Sequence, residues 1–338
     1  MNIKRVGFAC KLSEFHPTKG VISIPDCNVN TTTVAWLNRQ SRDVAEQKLW
    51  DLMVGNINSI KSLVERVGSF EQNLRMVRLG SDILPVFTHN DWSYFWRRPD
   101  VISYCESHFR SVGDIARNTG TRLSFHPGQF VALSSITPDI VDRSIEEFEY
   151  HAFMARCMGY GKSFQDFKIN VHISGRQGPE GIRRAYERLT PEARNCITIE
   201  NEENAWGLDD CLSISDLVPI VLDIHHHFIH SGEYIDPTGD RVRRVIDSWR
   251  GIRPTLHYSL SREDILVGHD ISTLPDMKTL LESGHKKQKL RAHSDFMWNE
   301  ASNRWAYGFW DDFDVMVESK SKNLASFALR EYWSSLEK

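Results

Sequence analysis

Residues 218–230 read VPIVLDIHHHFIH, a short apolar run rich in β-branched side chains that passes straight into an aspartate and three consecutive histidines. A run of this length and composition reads as a strand buried on both faces, as parallel sheets require. It is one of eight. The others are 3–9 (IKRVGFA), 74–80 (LRMVRLG), 121–126 (TRLSFH), 167–173 (FKINVHI), 196–200 (CITIE), 254–258 (PTLHY) and 313–318 (FDVMVE).

Amphipathic helical patterns lie between these runs. Leu49, Met53, Ile57, Ile60 and Val64 share one face, and Gly68 is placed to end that helix as its C′ residue. Ile102, Cys105, Phe109, Val112 and Ala116 repeat the pattern. Val141, Ile145, Phe148 and Ala152 do so again, after Thr137-Pro138 in the N-cap and N1 positions. Alternating strands and helices without a Pro/Gly/Ser linker predict an α/β protein of one domain over 1–338, a single (β/α)8 TIM barrel. The stretch 260–312, between the last two strands, reads as an insertion carrying small elements of its own.

In such barrels the chemistry sits at the C-terminal ends of the strands. Those ends carry His126, His172, Glu200, Asp223, His257 and Glu318; His89 follows the second strand, and His226 lies three residues past Asp223. His293, in RAHSDF (291–296) of the insertion, is a further candidate. A lone strand-end histidine is more often structural, and three adjacent histidines can be a mere surface cluster. Eight imidazole and carboxylate groups at one rim instead predict a multinuclear centre for zinc, manganese or iron; the set is too nitrogen-rich for magnesium or calcium. Such ions suit phosphodiester hydrolysis, and equally a sugar isomerase that holds a hydroxy-ketone.

The formal net charge of −4 does not announce a nucleic-acid partner, although basic runs occur at 241–244 and 285–291. No apolar run approaches the roughly 20 residues that span a bilayer, so no membrane segment is expected. The six scattered cysteines lack Cys-x-x-Cys spacing and read as reduced thiols of a cytoplasmic protein.

The succession RVGFAC, VRLGSDILPVFTH, LSFHPGQFVALSS, INVHISG, TIENEE, LDIHHH, LHYS, AHSDF and FDVMVESKSK resembles the UV damage endonuclease family, distant barrel relatives of endonuclease IV. The likeness runs collinearly from about residue 3 to 325. It implies a manganese-dependent nick immediately 5′ of a UV photoproduct in double-stranded DNA, leaving a 3′-hydroxyl and a 5′-phosphate. By resemblance, His126, His172 and Glu200 hold one ion. Glu200, Asp223, His257 and Glu318 hold a second, with Glu200 bridging, and His226 and His293 hold a third. His89 and Lys320 are placed at the scissile phosphate. Gln129 and Phe130, with Phe8, are placed to probe the lesion by wedging and stacking.

Two positions depart from the pattern. Thr255 stands where family members commonly carry a lysine that can be carboxylated to bridge metals, and Arg291 stands where endonuclease IV relatives place a metal-binding aspartate. The third ion is therefore the least supported, and the resemblance predicts tighter dependence on added metal. Two other classes compete: a metal-dependent sugar isomerase or epimerase on the same barrel, and a non-catalytic binder of damaged DNA. A monomer is the expected state.

Overall fold

The computed structural model describes residues 3–337. Ten strands are present: β1 (Val6–Ala9), β2 (Ser13–His16), β3 (Gly20–Ser23), β4 (Met76–Arg78), β5 (Arg122–Phe125), β6 (Lys168–His172), β7 (Ile197–Glu200), β8 (Ile220–Asp223), β9 (Thr255–Tyr258) and β10 (Asp314–Val317). All but β2 and β3 pair in parallel and close into a barrel in the order β1-β10-β9-β8-β7-β6-β5-β4. Each barrel strand falls inside one of the eight apolar runs, and helices between them cover the outside. The fold is an α/β (β/α)8 barrel.

The strands are short and almost wholly buried, which explains why they read as continuous apolar runs rather than alternating ones. The three helices read from periodicity span Arg42–Gly68, Pro99–Thr119 and Pro138–Cys157. Thr137 is the N-cap and Pro138 the first helical residue, although the threonine side chain makes no capping bond. Gly68 departs from its expected role: it is the last helical residue rather than a left-handed cap. A Cβ there would lie 2.7 Å from Thr119 Cγ2, so close helix packing, not a turn, accounts for the glycine.

β2 and β3 form an antiparallel hairpin after β1 that the sequence pattern did not announce; its alternating exposure leaves too few buried apolar positions to stand out. The 260–312 insertion carries three short helices, Met277–Glu282, Lys287–Leu290 and Glu300–Tyr307. Part of it packs Leu266, Met277, Leu280 and Leu290 against Phe228 and Ile229, a small core beside the barrel's own. No helix among the described residues is long and apolar enough to cross a membrane.

A candidate metal centre at the barrel mouth

Strand register brings the ligand-type residues to one level. His172 is the lateral partner of Glu200 across β6–β7, and Asp223 of His257 across β8–β9. Lateral partners in a parallel sheet point to the same side, so these four side chains converge inside the barrel. His126 follows β5 directly and Glu318 follows β10.

Overlapping groups of donors result. His126 Nε2, His172 Nε2 and Glu200 Oε2 are mutually 3.1, 3.3 and 3.9 Å apart. Ligands about 2.1 Å from a shared ion stand roughly 3.0–3.5 Å from one another; two of these separations fall in that range, and the His172–Glu200 one is wider at 3.9 Å. His257 Nδ1 lies 3.1 Å from Glu200 Oε2 and 3.3 Å from Glu318 Oε1, and Asp223, His257 and Glu318 form a second convergent group. Glu200 groups with His126 and His257 and with His172 and His226, and meets the Asp223 group through His257.

Orphaned atoms support a fit to metal. Glu200 Oε1, Asp223 Oδ2 and His257 Nδ1 are buried and have no hydrogen-bond partner among the described residues. Buried polar atoms are otherwise almost always paired, and a cation is the partner that two carboxylates and an imidazole share. Burial pushes the His172 and His257 imidazoles down to about 4, more than the neighbouring carboxylates raise them, which leaves them neutral and able to donate a lone pair. Burial alone would raise Glu200, yet the histidines around it outweigh that and hold its carboxyl well below the usual range, with His226, itself raised, supplying positive charge and His126 a hydrogen bond. Glu318 follows the same logic, with Arg78 the largest charge holding it down against burial. The Asp223 carboxyl is raised by burial despite His226.

The surrounding shell orients these donors. The His126 Nδ1 lies 2.9 Å from the Pro127 carbonyl, which leaves Nε2 for the ion. Asp223 divides its work: Oδ1 accepts from the His226 N–H at 2.7 Å as the N-cap of the helix Ile224–Ser231, while Oδ2 faces the centre. Asn170 donates to Glu200 and is itself held by Thr198. Lys168 Nζ lies 3.0 Å from His257 Nε2, and burial pushes its amine down to about 7. Arg78 pairs with Glu318. None of these four was singled out from the sequence. Lys168, Asn170 and His172 alternate along β6, and that period of two was the available signal for a polar set facing the barrel interior.

The remaining candidates are placed as follows. His226 is buried in the first turn of its helix rather than on a loop, with Nδ1 3.0 Å from the Asn201 carbonyl; it groups with His172 and Glu200. His225 and His227 are also buried, so the histidine run is not a surface cluster. His293 lines the same cavity as His226 but joins no convergent donor group among the described residues. His89 is half exposed with its ring beside Asp91, and Lys320 is exposed and paired with Asp295 at 3.4 Å; neither is among the groups at the centre.

Gln129 and Phe130 stand on the cavity rim, and the Phe130 side chain is 87 % exposed. Phe8 must be corrected. It lies inside β1, not on a strand-end loop, and is 1 % exposed between Val77 and Val317. Its ring belongs to the core and is not available to stack on a base.

Thr255 is buried in β9, its hydroxyl oxygen unpartnered among the described residues, and cannot carry a carboxylate. Arg291 lines the cavity and pairs with Glu203 at 3.1 Å.

Comparison with known proteins agrees with the fold and adds the family. The chain is 25% identical over 324 residues to a UV DNA damage endonuclease of Bacillus thuringiensis subsp. konkukian, covering 92% of this chain and 91% of that one. It is 25% identical over 339 residues to a UV-damage endonuclease of Schizosaccharomyces pombe, covering 96% of this chain and 50% of that one. Among solved structures, SacUVDE superposes with a TM-score of 0.73 at 23% identity over 99% of both chains. Endonuclease IV of Thermus thermophilus superposes at 0.51 and 14% identity, over 82% of this chain and 94% of that one. The family model described as UV-endonuclease UvdE matches residues 4–338, and the chain belongs to that family.

Proposed function

We propose that the chain is a metal-dependent endonuclease that nicks double-stranded DNA immediately 5′ of UV photoproducts, leaving a 3′-hydroxyl and a 5′-phosphate. The observation that carries the reading is the convergence of Asp223, His257 and Glu318 beside Glu200, with Asp223 Oδ2, His257 Nδ1 and Glu200 Oε1 all buried and unpartnered among the described residues, below a cavity rim that bears the exposed Phe130. His126, His172 and Glu200 would hold one ion, and Glu200, Asp223, His257 and Glu318 would hold a second. Manganese suits this mixture of imidazole and carboxylate. When bound, the ions supply activation of water and neutralisation of phosphate charge.

The chain's own residues do the rest. A photodimer stacks and pairs poorly, so extruding it costs less than extruding intact bases. Phe130 fills the gap by stacking, and Gln129 offers donor and acceptor atoms to the orphaned bases opposite. Lys320, held by Asp295 at 3.4 Å, exchanges that neighbour for a phosphate oxygen when the duplex enters, and His89, whose Nδ1 accepts from the Asp91 N–H at 3.2 Å, offers Nε2 to another. The protein acts as a single-domain monomer in the cytoplasm.

Supercoiled plasmid, irradiated or not, is incubated with the purified protein and manganese. Irradiation-dependent relaxed circles are expected, and Glu200→Gln should abolish them while leaving some DNA binding. Turnover of an aldose or ketose without nicking would establish the isomerase class instead, and binding without nicking the non-catalytic one.

A further inference from the structure

We propose that Arg291, steadied by Glu203, grips a DNA phosphate in the cavity above the metal centre, and that its guanidinium fills the corner beside His226 in place of a third divalent ion. This rests on the reading of the site as a metal-dependent DNA nuclease.

Arg291 ends the short helix Lys287–Leu290 of the insertion, and its side chain lines the cavity with His126, His172, His226, His293 and Glu318. Its Nε lies 3.1 Å from Glu203 Oε1, while Glu203 Oε2 lies 3.7 Å from His226 Nε2. The Asn201 carbonyl occupies His226 Nδ1, so Nε2 is the nitrogen left for a ligand, and it is turned toward Glu203. One carboxylate, its side chain 12 % exposed, thus spans His226 and Arg291. A divalent ion entering between His226 and Glu203 would meet a permanent positive charge already bound to the same carboxylate. His293, the other nitrogen donor of this corner, does not converge with them.

Glu203 engages Arg291 through Nε, and the guanidinium forms no ion pair with any other carboxylate among the described residues. Its Nη atoms carry donors in a planar fork that matches two oxygens of a phosphate. The side chain is 41 % exposed, open enough to meet a backbone and anchored enough to meet it in one orientation.

Two measurements test this without relying on turnover. The wild-type protein, reloaded with manganese and desalted, is assayed for metal per chain by mass spectrometry; two ions are expected, and three would overturn the proposal. Metal-free wild type, Arg291→Met and Arg291→Lys are then titrated with irradiated duplex over a salt series, with thermal melts to verify folding. Arg291→Met should bind about tenfold more weakly, with the slope of log K against log salt shallower by about 0.9, one phosphate contact. Arg291→Lys should keep the slope and lose part of the affinity. Unchanged affinity and slope in Arg291→Met, with wild type nicking irradiated plasmid, overturn the role of Arg291 alone. A wild type that neither binds nor nicks irradiated DNA overturns the parent reading and this one with it.

Discussion

Asn201 and the backbone of Asp223 hold each other by two hydrogen bonds. Asn201 Oδ1 accepts from the Asp223 N–H at 2.9 Å, and Asn201 Nδ2 donates to the Asp223 carbonyl at 3.0 Å. The same asparagine follows Glu200 in sequence, and its carbonyl accepts from His226 Nδ1 at 3.0 Å. One fully buried residue thereby fixes the positions of three donors. Asn201→Leu leaves the buried N–H and carbonyl of Asp223 without these partners, at about 1–3 kcal/mol each. We expect a loss of about 2–6 kcal/mol in denaturant unfolding, and manganese affinity about 10–100-fold lower by titration of the folded variant. An unchanged manganese affinity would show that Asn201 serves the fold only.

How much of this was legible in the sequence follows from the physics of the barrel. Parallel strands buried on both faces must be apolar, so VPIVLDI and its seven counterparts were visible without any partner strand. Side chains at their C-terminal ends must be polar if the mouth does chemistry, so Glu200, Asp223 and His257 stood out against apolar neighbours. Residues that act on those donors carry no such contrast. Asn201 is an ordinary asparagine after a strand, and Lys168 has meaning only because closure of the barrel sets it across the interior from His257, 89 residues away. Phe8 misleads for the opposite reason: an aromatic near a strand end looks the same whether it points to the core or to the rim.

That difference between two phenylalanines gives a paired test. Phe130→Ala removes an exposed ring and should leave stability within about 0.5 kcal/mol. If Phe130 stacks at the lesion, affinity for irradiated duplex falls roughly five- to 150-fold, the equivalent of about 1–3 kcal/mol. Phe8→Ala opens a cavity in the core and should cost about 3–5 kcal/mol of stability. Equal effects of the two substitutions on stability, read from parallel denaturant melts, would contradict this assignment.

At the opposite end of the barrel Asp314 closes the floor. Its Oδ1 accepts from Arg253 Nε and from the Arg5 N–H, both at 2.9 Å, and its Oδ2 from Arg122 Nη1 at 2.8 Å. The carboxylate is fully buried, so Asp314→Ala strands three arginines around an empty site. Removing one partner of a buried ionic network costs about 3–5 kcal/mol. Manganese stoichiometry of the variant should stay at the wild-type value, because none of the hydrogen-bond partners of the Asp314 carboxylate among the described residues is a candidate ligand. Lost metal at temperatures where the variant is still folded would show that the two ends are coupled.

His151 sets a pH dependence that arises mainly from burial behind the barrel wall. It is fully buried on the helix Pro138–Cys157, with Nδ1 2.7 Å from the Glu147 carbonyl and Nε2 unpartnered among the described residues. The Phe125 and Tyr150 rings pack against it, and the Glu147 carboxyl lies 3.9 Å away. Burial pushes its imidazole down to about 4 and His126 adds to this, against the opposing Glu147 carbonyl. Between about pH 4 and 6.5 the unfolded chain therefore binds a proton that the folded one refuses, and stability falls as pH drops through that window, by up to about 3 kcal/mol. His151→Leu removes the titrating group and keeps an apolar side chain of similar bulk. The wild type should lose stability relative to this variant as pH falls from 7 to 4.5, in chemical denaturation at matched ionic strength. A difference that stays constant over that range would mean that His151 is protonated as readily in the folded protein as in the unfolded chain.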